Sequence, residues 1–225
     1  MKFSGLQKTS LVDFPNRICS VLFAPGCNLR CPFCHNWRIA VDPKPPFLTE
    51  EIALKILDER KKYVDAVVVS GGEPTIHKDL PRFLKKLKDR GFALKLDTNG
   101  FDSRRLEECL PYLDYVALDV KTSPQKYQSL GAKDTTELVR TIEILKMGKI
   151  DYEFRTTVVP GFVDAQDIHA ISELVKGAGT WALQQFVPGD TLDKRLDMVK
   201  PFPPETLDKY ADMLRSYAER IVVRT

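Results

Sequence analysis

Short runs of apolar and β-branched residues alternate along this chain with longer stretches of helical period. The apolar runs fall at Ile18 to Ala24, Ala66 to Val69, Ala93 to Leu96, Tyr115 to Val120, Tyr152 to Val159 and Trp181 to Val187. Each has the length of a buried strand. Between them, apolar positions recur at helical spacing over 49–62, 79–90, 103–112, 134–148 and 166–177, and a last helix is expected near 204–220. Thr49 precedes Glu50 and Glu51, which sets acids at the positive end of a helix, and Pro203-Pro204 precedes the last one. Strict alternation of strand and helix requires parallel strands joined by right-handed crossovers. The pattern therefore predicts an α/β fold, a partial (β/α)6 barrel with parallel strands, with an open doubly wound sheet as the alternative.

Composition narrows the picture without changing it. The 225 residues suit one domain spanning 1–225, with no linker or low-complexity segment. A content of 43% hydrophobic and 29% charged residues is that of a globular protein. The 34 basic and 31 acidic residues leave a net charge of +3, too weak a field to argue for nucleic acid. Runs such as Lys85-Lys86-Leu87-Lys88 read as solvated helix faces. The start Met1-Lys2-Phe3-Ser4-Gly5-Leu6 has no apolar signal core, and no stretch approaches the ~18 apolar residues of a membrane span. A cytoplasmic location without a membrane partner is expected.

Cysteine changes the picture more. Three of the five cysteines, Cys27, Cys31 and Cys34, crowd into eight positions just after the first strand. That is where a (β/α) barrel keeps its chemistry. Three thiolates on one tight loop suit a 4Fe-4S cube with one iron left to coordinate a small molecule. A closed zinc site using His35 or a distant fourth ligand is the alternative, but no second C-x2-C or H-x3-H pair is present to close it. A fully ligated electron-transfer cluster would need a fourth cysteine nearby. Cys19 lies in an apolar run and Cys109 in a helical one, so both are expected to be small buried hydrophobes.

Other strand ends carry chemistry too. Ser70-Gly71-Gly72-Glu73-Pro74 follows the second strand, where bare glycines would let backbone approach a ligand and Glu73 offers a carboxylate. Asp97-Thr98-Asn99-Gly100 ends the third, Asp119-Val120-Lys121 the fourth, and Arg155 precedes Pro160-Gly161 on the fifth. Each alone is compatible with a turn or a surface ion pair.

Taken together, Cys27-x3-Cys31-x2-Cys34-His35-Asn36, Gly71-Gly72-Glu73-Pro74, Asp97-Thr98-Asn99-Gly100, Asp119-x-Lys121 and Val158-Val159-Pro160-Gly161 resemble the radical S-adenosylmethionine activating enzymes of glycyl-radical enzymes. Within that group the chain most resembles the anaerobic ribonucleoside-triphosphate reductase activating proteins, and pyruvate formate-lyase activating enzyme is a near relative. The resemblance implies that Cys27, Cys31 and Cys34 hold the cluster. It sets Phe33 and the backbone from Cys34 through His35 against adenine, and Gly71, Gly72 and Glu73 on the methionine amino group. Thr98, Asp119, Val120, Lys121 and Arg155 complete the cofactor contacts, with Asp119 and Lys121 facing the ribose and carboxylate. It also implies a sodium or potassium ion held by Asp97, Thr98 and Asp119. Where a relative places a cofactor-contacting histidine after the sixth strand, this chain reads Gln184-Gln185-Phe186-Val187-Pro188, a departure from the pattern.

The implied chemistry is reductive cleavage of S-adenosylmethionine to methionine and a 5′-deoxyadenosyl radical that removes hydrogen from a backbone glycine of a partner enzyme. No catalytic side chain beyond the cluster and cofactor is required. A reduced flavodoxin or ferredoxin would supply the electron, and the enzyme by itself is expected to be a monomer. Asp13, in Val12-Asp13-Phe14-Pro15, matches a partner-contacting position. Six βα units would leave a barrel incompletely closed with few residues over for a lid, which favours a macromolecular substrate. A radical enzyme acting on a small molecule or an RNA base is the alternative, since it would share every cofactor motif.

Overall fold

The structure is a computed structural model that describes residues 1–148 and 150–225. The chain gathers into two compact units. One comprises Met1–Asn28, Asn36–Thr98 and Asp102–Val116, and the other Leu29–His35, Asn99–Phe101 and Ala117–Thr225.

The first unit contains β1 (Lys2–Phe3), β2 (Gly5–Ser10), β3 (Cys19–Ala24), α1 (Trp37–Val41), β4 (Leu48–Thr49), α2 (Glu50–Arg60), β5 (Ala66–Gly71), α3 (Leu80–Lys88), β6 (Ala93–Thr98) and α4 (Ser103–Cys109), and ends in the start of β7 (Tyr115–Asp119). Strands β3, β5 and β6 pair in parallel, β2 adds antiparallel to β3, and β1 with β4 makes a separate antiparallel ribbon. Alternate residues of a strand face the same side. The register therefore builds rows on one face: Cys19, Ala66 and Ala93, then Val21, Val68 and Lys95, then Phe23 and Ser70. Phe14 packs with Cys19, Val21, Ala66 and Val68 to close the lower rows. On the other face Leu22, Val67, Val69, Leu94 and Leu96 are fully buried. Helix α3 buries Leu80, Phe83, Leu84 and Leu87. Each such side chain contributes roughly 1.5–3 kcal/mol by leaving water.

The second unit holds the remainder of β7, then α5 (Thr136–Met147), β8 (Asp151–Val158), α6 (Ala165–Val175), β9 (Ala178–Gln185), α7 (Pro204–Met213) and β10 (Ala218–Arg224), with strand order β7-β8-β9-β10. Strands β8, β9 and β10 are parallel. A relay of hydrogen bonds fastens β9, β8 and the residue just past β7 internally: Trp181 Nε1 donates to Thr156 Oγ1 at 3.0 Å, which donates to the Val120 carbonyl at 2.7 Å. Helix α6 opens on a capping box in which the Asp164 side chain accepts from the Asp167 N–H and Asp167 reciprocates.

The expected α/β class with a mostly parallel sheet is what the chain adopts, and all six expected strands form. Two outer strands were not expected. Strand β2 is half exposed and polar, without the continuous apolar run of a buried strand. Strand β10 occupies part of the stretch assigned to the last helix, which instead stops at Met213. Ile221, Val222 and Val223 pair with Trp181, Ala182 and Leu183 of β9, a better use of β-branched side chains than a helix turn. Among the described residues, no helix is long and apolar enough to cross a membrane.

Candidate active site

In the first unit, β3 and β5 end against each other through main chain. The N–H of Gly72 donates to the Ala24 carbonyl at 2.9 Å and the N–H of Glu73 to the Gly26 carbonyl at 2.8 Å. A Cβ on Gly72 would lie 1.9 Å from the Gly26 oxygen, and one on Gly71, at φ 112°, would lie 2.5 Å from the Ala24 nitrogen. Sequence reasoning assigned these glycines to ligand approach. The contacts give a second reason for a bare backbone: the glycines let two strand ends touch. Asn36 Nδ2 donates to the Gly71 carbonyl at 3.1 Å, and His77 Nε2 to the Pro25 carbonyl at 2.8 Å. Cys27 leaves β3 directly beyond this lock.

Glu73 is buried, and its Oε1 accepts from the Thr75 N–H at 3.0 Å, Thr75 Oγ1 at 2.7 Å and Thr98 Oγ1 at 2.7 Å. Three donors on one oxygen fix the carboxylate's rotamer. Asp97 accepts from Ser70 Oγ at 3.0 Å and from Lys95 Nζ at 2.5 Å. Lys95 was not singled out from the sequence. Its signal was the i, i+2 spacing to Asp97, which puts both on one side of β6.

In the second unit, Cys31 is buried and Cys34 half-buried, with the Cys34 N–H donating to the Cys31 carbonyl at 3.1 Å. The loop is anchored by Arg30 N–H to the Leu130 carbonyl at 2.8 Å and by Asp193 N–H to the Pro32 carbonyl at 2.8 Å. Phe33 packs on Phe162 with centroids 5.3 Å apart, and His35 stacks on Phe186 at 6.5 Å. Phe186 thus fills the stretch where the expected histidine is missing. Asp119 accepts from Arg155 Nε at 2.7 Å and Lys121 Nζ at 3.1 Å. Burial opposes both charges, but Arg155 and Lys121 hold Asp119 well below the usual carboxylate range, and Asp119 holds Lys121 above the usual ammonium range. Val120 N–H donates to the Arg155 carbonyl at 2.9 Å. Tyr127 was also missed: its buried hydroxyl accepts from the Lys121 N–H at 2.9 Å, and burial pushes its phenol up.

The five cysteines, none in a disulfide, fall into two kinds. Burial, helped by nearby Asp13, pushes the Cys19 thiol up to about 11, and burial pushes Cys109 up to about 12. Both are protonated, inert side chains, as expected from their apolar surroundings. Among the described residues no group of three or more His, Cys, Asp or Glu side chains stands gathered to hold a metal ion. The fit of an iron-sulfur cluster rests instead on donor chemistry: three thiols within eight residues of one loop, apart in sequence from Cys19 and Cys109.

Residues 21–175 match the radical SAM superfamily. The chain belongs to that superfamily, which implies a 4Fe-4S cluster and S-adenosylmethionine. It is 34% identical, over 99% of its own length and 95% of the relative's, to a protein of Methanocaldococcus jannaschii provisionally named a glycyl-radical enzyme activating enzyme. It is 29% identical to the pyruvate formate-lyase-activating enzyme of Clostridium pasteurianum, over 85% of this chain and 83% of that one. Among solved structures it resembles Streptococcus suis SuiB bound to S-adenosylmethionine, with a TM-score of 0.68 at 14% identity, covering 91% of this chain and 52% of that one. That last likeness is one of fold.

Proposed function

We propose that the chain, acting as one radical S-adenosylmethionine domain, activates a glycyl-radical enzyme, with anaerobic ribonucleotide reductase as the first candidate partner. A reduced flavodoxin or ferredoxin is the proposed electron donor. The observation that carries the reading is that Cys27 leaves β3 at the backbone atoms gripped by Gly72 and Glu73, so a thiol-bearing loop and a fixed carboxylate start from one main-chain joint. Support for the partner class comes from relatives of matching length that bear activating-enzyme names.

Cys27, Cys31 and Cys34 would hold the 4Fe-4S cluster. When bound, the cluster supplies one electron and an open iron to S-adenosylmethionine, whose cleavage yields a hydrogen-abstracting 5′-deoxyadenosyl radical. The chain's residues bind and orient. Glu73, held by Thr75 and Thr98, presents a fixed acceptor for the methionine ammonium, beside the bare backbone of Gly71 and Gly72. Lys121 and Arg155 both present cationic donors beside Asp119, which suits a cofactor carboxylate. Phe33, Cys34 and His35 line the adenine side, with Phe33 braced on Phe162 so that water is excluded from its face.

The test mixes reduced, anaerobically reconstituted protein with S-adenosylmethionine and an anaerobic ribonucleotide reductase of the source organism. A glycyl-radical doublet in electron paramagnetic resonance is expected. Turnover of a metabolite or RNA with stoichiometric 5′-deoxyadenosine, and no doublet with any glycyl-radical partner, would overturn the substrate while leaving the cofactor chemistry standing.

A further inference from the structure

We propose that this chain carries its own cation: the Lys95 ammonium, bonded to Asp97, takes the place of a sodium or potassium ion, and cofactor binding needs neither metal. The inference rests on the cofactor reading above and departs from the cation set Asp97, Thr98 and Asp119.

Both carboxylates of that set are already met by protein cations. Lys95 is 2% exposed and rises from a row whose other members, Val21 and Val68, are apolar. An ammonium in such a place must be compensated by a carboxylate, and Asp97 lies two residues ahead on the same face, 2.5 Å from Nζ. Lys95 takes Oδ1 of Asp97, and Ser70 Oγ takes Oδ2 at 3.0 Å, so donors meet both oxygens. A hard cation requires several oxygens that present lone pairs. In the second unit, Asp119 has Arg155 on Oδ1 at 2.7 Å and Lys121 on Oδ2 at 3.1 Å, two protein cations for one anion. A metal ion added there would have to compete with the two cations that already hold the carboxylate. A lysine tethered by its own strand also loses less freedom on binding than an ion drawn from solution, because the backbone already sets its place.

The experiment is calorimetric titration of S-adenosylmethionine into the cluster-loaded protein, with sodium and potassium either present or fully replaced by tetramethylammonium. For the native protein the affinity is expected to agree within about twofold between buffers. Sodium nuclear magnetic resonance linewidths should also show no saturable broadening when the protein is added. Lys95→Met removes the ammonium and leaves Asp97 in need of a cation, so this variant should acquire sodium or potassium dependence on the order of tenfold in affinity. Methylammonium should restore it, an effect that loss of packing alone would not produce. A native protein whose affinity falls about tenfold without the metals, and recovers with them, overturns the inference and leaves the cofactor reading intact. Failure to bind S-adenosylmethionine in either buffer overturns the cofactor reading and the inference with it. The native arm decides the matter even if Lys95→Met does not fold.

Discussion

Arg155 reaches Asp119 from the neighbouring strand, donating from Nε to Oδ1 at 2.7 Å. Lys121 occupies the carboxylate's other oxygen from the same strand end. A carboxylate between two cations at the end of β7 is therefore part of what joins β7 to β8, as well as a feature of the site. Substituting it should register in stability as well as in cofactor binding.

Asp119→Asn leaves two partly buried cations without their anion. It should lower the unfolding free energy by roughly 2–3 kcal/mol, less than a fully buried pair because Asp119 keeps 27% of its side chain exposed. The pH dependence has a definite sign. Asp119 titrates below its ordinary value of 3.8 in the folded chain, so its stabilisation is complete above that pH and is lost as pH falls further. Denaturant titrations at several pH values should show a constant gap between native and variant near neutrality that narrows below pH ~4. A gap that persists unchanged in acid would remove the ion pair as its cause.

Thiol reactivity should divide the cysteines cleanly. With Cys19 at about 11 and Cys109 at about 12, neither has an appreciable thiolate fraction at neutral pH, so alkylation of the folded apoprotein should spare both. Cys31→Ala should abolish bound iron and sulfide, and Cys109→Ala should leave them unchanged. A full complement of iron in the Cys31 variant would sink the proposed cluster ligation.

The two strand-end glycines should be intolerant of even one methyl group. Gly72→Ala forces a carbon to 1.9 Å from the Gly26 oxygen, and relief by backbone shift should cost at least ~2–3 kcal/mol. Gly179→Ala is the control, because a Cβ there meets nothing within 4 Å. Its unfolding midpoint should stay level or rise slightly through a less flexible unfolded chain. Equal midpoints for the two variants would show that the strand ends are not locked.

The sequence made β3, β5, β6, β7, β8 and β9 legible because parallel strands buried on both faces read as unbroken apolar runs. Strands β2 and β10 pair on one side only and stay partly exposed, so Gly5–Ser10 and Ala218–Arg224 carry no such run. The cysteines proposed as ligands were legible because one loop carries them at fixed spacing. Lys95 was hidden inside Ala93-Leu94-Lys95-Leu96: its burial follows only from the register that sets it beside Val68. Tyr127 was hidden for a related reason, since its bond to the Lys121 N–H depends on how the chain turns after β7. The roles of Gly71 and Gly72 were half legible. Their need for a bare backbone was evident, but the atoms they approach belong to the end of β3 and the residues just after it, about 47 positions away in the chain, and no local pattern reports them.

The joint between Gly72 and Gly26 also bears on how the site can change. Cys27 and Glu73 are spaced by amide-to-carbonyl bonds, in which side chains take no part. A neighbour such as Ile76, whose side chain lies against Gly26, can be exchanged to reshape the surroundings while that spacing is inherited intact. A chain built this way can drift toward new partners or altered cofactor analogues by side-chain substitution alone. A library that randomises the surroundings and holds Gly26, Gly71 and Gly72 constant would sample functional variety without dismantling the frame.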